Sequence, residues 1–167
     1  MKYFKFIFFS LVILTSCGKE PSRSKPEPTL SFSPQTLSIN TGQQGEFTIQ
    51  IEDLDSPVFG ISMRIAYDSS IVSFSDSTGF SVGDFFGTDV VAFTREEVSI
   101  IHLTVTLTQG QEEVSGSGGL GVLTFVGKSS GTSTVNITSS ELYFYDSNGN
   151  EVIVPDLKIE NAIIAVQ

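Results

Sequence analysis

Phe59-Gly60-Ile61-Ser62-Met63-Arg64-Ile65-Ala66-Tyr67-Asp68-Ser69-Ser70-Ile71-Val72 is the stretch that decides the fold of this chain. Its odd positions from Phe59 to Tyr67 are apolar or aromatic, and its even positions are Gly60, Ser62, Arg64 and Ala66. Successive side chains of a strand point to opposite faces, so this run reads as a strand with one buried and one wet face. Tyr67 closes the run in the buried phase, so its ring packs inward and its hydroxyl needs a partner. Asp68 then opens a turn, where its carboxylate accepts local backbone N–H bonds.

The same period of two recurs on both sides. Phe47, Ile49 and Ile51 alternate with Thr48 and Gln50, and Ile101, Leu103, Val105 and Leu107 alternate with His102, Thr104 and Thr106 in a strand read from Val98. Further strands are read around Leu120–Val126, at Val135–Ile137, at Leu142–Tyr145, at Glu151–Val154 and in a final run from Leu157 to Val166. Asn148-Gly149 marks a hairpin, because both residues tolerate positive φ. No window of a dozen residues carries uninterrupted apolar groups at helical spacing, and no fixed-period repeat is present. Many short strands separated by Gly, Ser, Asp and Asn turns predict an all-β sandwich or barrel.

The chain has 167 residues and a formal net charge of −10. That length suits one domain. From Leu30 onward its only cations besides His102 are Arg64, Arg95, Lys128 and Lys158. So acidic a chain does not seek phosphate backbones, which excludes nucleic acid as a partner. One histidine in the middle of a threonine-rich strand gives no support for a Ser-His-Asp triad. The carboxylate pairs Asp53/Asp55, Glu96/Glu97 and Glu112/Glu113 all read as solvated turns, and none is set in an apolar cleft as a glycosidase requires. Asp146-Ser147-Asn148-Gly149-Asn150 has its glycine too early for an EF-hand and strands rather than helices around it, so it reads as a β-turn. The loop Gly79–Gly87 carries Phe80, Phe85 and Phe86, which are read as a plug for one end of the sandwich; an exposed aromatic platform is the alternative.

The N-terminus carries Lys2 and Lys5, an apolar run from Phe6 to Leu14, and then Leu14-Thr15-Ser16-Cys17. This resembles the signal peptide and lipobox of bacterial lipoproteins. The resemblance implies cleavage after Ser16 and lipid on Cys17, the chain's only cysteine. The apolar run is too short to span a bilayer, which needs about 20 residues. Removing residues 1–16 also removes Lys2 and Lys5 and takes the net charge to −12. Residues 17–29 hold Pro21, Pro26 and Pro28 and read as a linker. If fully polyproline-like, the stretch from Gly18 to Thr29 would reach some 35 Å at about 3.1 Å per residue. The expected organisation is therefore signal peptide 1–16, lipidated linker 17–29 and β-domain 30–167, held at the bacterial envelope on the outer membrane or cell surface.

The order of motifs within the β-domain is similar to that of cohesin domains. The resemblance is carried by Gly45-Glu46-Phe47-Thr48-Ile49, Val58-Phe59-Gly60-Ile61, Ala66-Tyr67-Asp68-Ser69-Ser70-Ile71-Val72 and Gly116-Ser117-Gly118-Gly119-Leu120-Gly121-Val122-Leu123-Thr124-Phe125. Glycines 116, 118 and 119 also suit a bulge ahead of a strand. The resemblance implies a sandwich of about nine strands with jelly-roll topology and no catalytic activity. It implies a dockerin-type or other envelope protein as partner, with no cofactor on this chain and any calcium on the partner. One sheet face would receive that partner, its residues being Gly60, Ser62 and Arg64 with His102, Thr104 and Thr106 next. Many dockerin-binding cohesins carry Asn or Asp at the positions of Gly60 and Ser62, and this chain carries neither. The function expected is a membrane-anchored adaptor, such as one holding a polysaccharide-degrading enzyme. A carbohydrate-binding module that meets polysaccharide directly, or a structural or adhesive surface domain, is the alternative.

Overall fold

The structure is a computed structural model and describes residues 26–75 and 77–167. The expected signal peptide, Cys17 and most of the linker lie outside the described residues. In chain order the strands are β1 (Thr29–Ser33), β2 (Thr36–Ile39), β3 (Gln44–Val58), β4 (Gly60–Ala66), β5 (Val72–Ser73), β6 (Phe80–Val82) and β7 (Val90–Glu97). They continue with β8 (Ile100–Leu107), β9 (Val114–Gly127), β10 (Gly131–Ile137), β11 (Tyr143–Tyr145), β12 (Glu151–Val152), β13 (Lys158–Ile159) and β14 (Ala162–Val166). A 3₁₀ turn at Ser139–Glu141 is the only helical element among the described residues.

These strands form the two sheets of a β-sandwich. One runs β13-β1-β3-β9-β5, with β6 also paired to β9. The other runs β12-β11-β4-β10-β14-β2, with β8 on the far edge of β4 and β7 outside β8. The first and last strands close the fold: β1 lies parallel to β13, and β2 parallel to β14. Such pairings join residues more than a hundred positions apart, and no local pattern announces them.

The alternation read in Phe59–Tyr67 is realised from Ile61 to Tyr67, while at its start Gly60, expected on the wet face, is buried under Thr106 and Phe59 is only half-buried. Ile61, Met63 and Ile65 are buried, while Ser62, Arg64 and Ala66 are half-buried on the other face. Between the sheets Phe32, Phe47 and Phe125 are fully buried. Their rings meet edge to face, with centroids 6.1 Å apart for Phe32–Phe47 and 6.2 Å for Phe47–Phe125. Tyr67 reaches Phe125 at 5.3 Å, and Phe74 reaches it at 6.0 Å. Edge-to-face pairs place the positive rim of one ring on the negative face of the next, adding roughly 0.5–1.5 kcal/mol each beyond burial.

Several local details differ from the sequence reading. Asp53 and Asp55 lie within the long strand β3 and not in a turn. Asp53 takes φ 53° at a bulge, and its N–H donates to the Ser117 hydroxyl at 2.9 Å. Strands β3 and β9 pair along nearly their whole length with three register shifts, so extra residues are accommodated without ending the strand. Gly116, at φ 106°, sits opposite Leu54 in this irregular stretch. Glu96 and Glu97 end strand β7. Strand β8 starts at Ile100, because Val98 and Ser99 form a tight turn with φ 48° and 65°. The expected run Leu157–Val166 is broken into β13 and β14.

The loop after β6 plugs the sandwich, as its composition suggests. Phe85 and Phe86 are buried against each other, ring centroids 5.0 Å apart. The loop is zipped onto β9 by Gly83 N–H to Leu120 O, Phe85 N–H to Gly119 O, and Gly119 N–H to the Asp84 carboxylate. The approach is so close that a Cβ on Gly83 would lie 2.1 Å from the Gly119 carbonyl oxygen.

Because Phe125 touches Phe47, Tyr67 and Phe74, its truncation empties the centre of the core. Phe125→Ala is expected to cost about 3–5 kcal/mol. Urea denaturation monitored by circular dichroism checks this, and a loss below about 1 kcal/mol would show that the site collapses without consequence.

Candidate functional site

The outward face of β11-β4-β8-β7 brings all six sequence-predicted partner residues together. Cross-strand partners share a face, so the register gives the surface row by row. Gly60 is opposite Thr106, Ser62 opposite Thr104, and Arg64 opposite His102. On one side, β11 adds Tyr145 beside Gly60 and Tyr143 beside Ser62. On the other, β7 adds Val91 beside Thr106, Phe93 beside Thr104, and Arg95 beside His102. The surface thus reads Tyr145–Gly60–Thr106–Val91, then Tyr143–Ser62–Thr104–Phe93, then Arg64–His102–Arg95.

Short side chains occupy the middle of this face and larger ones its edges. The Ser62 and Thr104 hydroxyls lie 3.0 Å apart and bond each other. Thr106 directs its hydroxyl to the Phe59 carbonyl at 3.4 Å. Arg64 is ion-paired to Glu141 on the 3₁₀ turn, and Arg95 lies 3.3 Å from Glu97. Phe93 is 63% exposed, and Val91 and Tyr143 are exposed as well. Tyr143 and Tyr145 are near parallel, with ring centroids 6.4 Å apart. An exposed apolar patch rimmed by polar groups marks a contact surface. Beside Gly60 lies a depression of about 460 Å³ walled by Phe59, Thr106, Tyr145 and residues 146–149. A second depression of about 240 Å³ is lined by Ser62, Arg64, His102, Glu141, Tyr143 and Tyr145.

Two turns hold the ends of the face. At one end, the Asp146 carboxylate accepts bonds from Asn150 Nδ2 at 2.9 Å, Asn150 N–H at 2.7 Å and Asn148 N–H at 2.9 Å. The bonds from Asn150, then those from Asn148, hold its carboxyl below the usual carboxylate range. Gly149 takes φ 80° here, and the carboxylate serves the turn. Glu113 supports the same tip by accepting from Ser147 N–H and hydroxyl, both at 2.9 Å.

At the other end, Tyr67 and Asp68 clamp the β7–β8 hairpin. The Tyr67 hydroxyl donates to Glu96 Oε1 at 2.8 Å, and the Tyr67 N–H donates to the Ser99 carbonyl at 3.0 Å. Ser99 donates its hydroxyl to Ser69 at 2.6 Å. Asp68 N–H donates to Ser133, the one buried polar side chain among the described residues. Asp68 itself accepts from the Ser70 hydroxyl and N–H, and those bonds lower its pKa.

Sequence reasoning missed Val91, Phe93, Arg95, Tyr143 and Tyr145. Strand β7 hides because its inward phase is Val90, Ala92, Thr94 and Glu96, and its exposed phase contains Phe93. Neither phase is clearly apolar, so no period of two stands out. The signal for Tyr143 and Tyr145 was available: they alternate around buried Phe144, next to the Asn-Gly turn.

A model of the family described as cohesin domain matches residues 30–163. No curated protein matches. Among solved structures, a non-cellulosomal cohesin from the archaeon Archaeoglobus fulgidus superposes with a TM-score of 0.66 at 16% identity, covering 85% of this chain and 92% of that one. The third cohesin of ScaC from Acetivibrio cellulolyticus, solved with the ScaB dockerin, gives 0.67 at 14%, covering 83% and 98%. A type I cohesin–dockerin complex from Clostridium thermocellum gives 0.65 at 13%, covering 89% and 99%.

Two predictions concern the ends of the face. Tyr67→Phe removes one hydrogen bond and is expected to cost about 1 kcal/mol. Amide hydrogen exchange should accelerate in β7 more than in β3, and uniform acceleration would contradict the clamp. For the Asp146 turn, a lowered native pKa means its contribution is complete above the unfolded carboxyl value and is lost as pH falls through the native one. Exchange protection at Asn148 and Asn150 should therefore persist at about pH 4, the usual carboxylate value, and fail on further acidification. Asp146→Ala should abolish that dependence.

Proposed function

This chain belongs to the cohesin family, and on that premise we propose that it is a non-catalytic adaptor that binds a dockerin-type module on its β11-β4-β8-β7 face. One observation carries the reading. Six residues chosen from two separate stretches of sequence fall into three adjacent cross-strand pairs, flanked by the exposed Phe93, Val91 and Tyr143. Large aromatic anchors around a flat polar centre suit a protein partner, because such side chains supply most of the energy of an interface.

The lipobox-like segment ending in Cys17 supports a tether at the bacterial envelope. The domain would stand off the membrane on residues 17–29 and hold its partner there, such as a polysaccharide-degrading enzyme. A tether raises the effective concentration of the captured protein near the surface without any new contact. An aspartate follows the lipidated cysteine in some lipoproteins held at the inner membrane, and Gly18 stands there in this chain, which favours the outer membrane or cell surface.

A glycan reading has one observation in its favour. Tyr143 and Tyr145 form a near-parallel aromatic pair on the same face. The Phe80–Phe86 loop lends it little, since Phe85 and Phe86 are buried.

Binding to a panel of dockerin modules, with and without calcium, tests the main reading. At least one module should bind, and Phe93→Ala should weaken it at least tenfold, or about 1.4 kcal/mol. A panel that fails throughout, beside a glycan array that responds and loses its signal on Tyr143→Ala, would replace the protein partner with a sugar. Cys17→Ser should leave binding intact and release the chain from the membrane fraction; retention there would refute the tether.

A further inference from the structure

Cations are scarce in this domain, and their placement is uneven. Beyond Leu30 the chain has Arg64, Arg95, Lys128, Lys158 and one histidine, His102. The register sets Arg64 opposite His102 on one side and Arg95 opposite His102 on the other. Two of four cations and the only imidazole therefore form a single transverse row across the β4-β8-β7 face. The remaining two are engaged elsewhere: Lys128 donates to the Ser69 carbonyl, and Lys158 pairs with Glu160.

The carboxylates near this row hold it in place without exhausting it. Glu141 meets Arg64 through one guanidinium nitrogen, and Glu97 meets Arg95 through one. A guanidinium carries five N–H donors, so both arginines keep donors for a partner. The rows Tyr145–Gly60–Thr106–Val91 and Tyr143–Ser62–Thr104–Phe93 hold no carboxylate, whereas the row on the other side of Arg64, Ala66–Ile100–Glu97, holds Glu97. Over a protein of net charge −10, this face is a partly apolar field ending in a row of one histidine and two arginines, each arginine paired to a single carboxylate. Its opposite end is the Gly60 depression. The Thr106 side chain closes over Gly60 beside that depression, its hydroxyl 2.9 Å from where a Cβ on Gly60 would stand.

We propose that the partner seated on this face is acidic at its point of contact: it sets carboxylates against Arg64, His102 and Arg95 and an apolar side chain in the Gly60 depression. The proposal rests on the reading of this face as a dockerin-type site and adds the partner's chemistry and orientation. From Gly60 to Arg64 along β4 is about 13 Å at roughly 3.3 Å per residue. On a helix lying along β4 that span is about nine residues at 1.5 Å each. The apolar anchor and the carboxylate therefore belong two to three turns apart on the partner. Arginine forks favour carboxylates through paired N–H bonds, so the row sets orientation as well as attraction.

The test uses the full chain in detergent and two dockerin modules identical except for Glu or Lys at the contacting helix positions. The Glu module should bind at least tenfold tighter than the Lys module at low salt. That advantage should shrink as salt rises, and Arg95→Glu should invert the ranking. Arg95→Gln, which adds no repulsion, should reduce the advantage without inverting it. Equal binding of the two modules, or a preference for Lys, overturns the proposal. If that equal binding is still lost on Ser62→Arg, the face is the site and only its charge reading falls. If neither module binds, the dockerin-type reading fails together with this one.

Discussion

Tyr67 is the joint on which this molecule turns. Its ring packs edge to face on Phe125, at the centre of the opposite sheet. Its hydroxyl reaches out to Glu96 on the edge strand β7. A single side chain therefore couples the core of one sheet to the rim of the other. Asp68 and Ser69 extend the joint to Ser133 on β10 and Ser99 in the β7–β8 turn. Tyr67 as a whole is only 7% exposed, and a hydroxyl so placed without a partner would be costly, so this geometry is strongly favoured once the ring is buried.

The consequence for function is a face held at both ends. The Tyr67 clamp fixes β7 and β8, and the Asp146 turn fixes β11 against β12. Between them lie side chains too short to reorganise, chiefly Ser62, Thr104 and Thr106. Preorganised surfaces lose little conformational freedom on binding, which suits recognition by a rigid partner. The larger groups, Phe93, Tyr143, Arg64 and Arg95, stand at the margins.

Much of this was legible in the chain because strands with one wet face advertise themselves. The alternation from Phe59 to Tyr67 announced both the buried stripe and the wet stripe, and the inward ring and partnered hydroxyl of Tyr67 followed from its phase. The Asn148-Gly149 turn was equally plain. What stayed hidden was of three kinds. Strand β7 has no apolar phase to betray it, so Phe93 and Arg95 went unseen. The parallel closure of β1 on β13 and β2 on β14 depends on contacts distant in sequence. The bulge at Asp53 looks in sequence like a turn, because Asp53-Leu54-Asp55-Ser56-Pro57 is rich in turn-forming residues, yet here Ser117 satisfies the Asp53 N–H and β3 continues.

The central claim is that one sheet face, and not the loop ends of the sandwich, receives a protein partner. Amide chemical-shift mapping of the chain titrated with a dockerin module tests it most directly. The account predicts the largest shifts at Ser62, Arg64, His102, Thr104, Phe93 and Tyr143, with β1, β3 and β9 nearly silent. Shifts concentrated on the β1-β3-β9 sheet, or confined to the loop at residues 79–87, would contradict it.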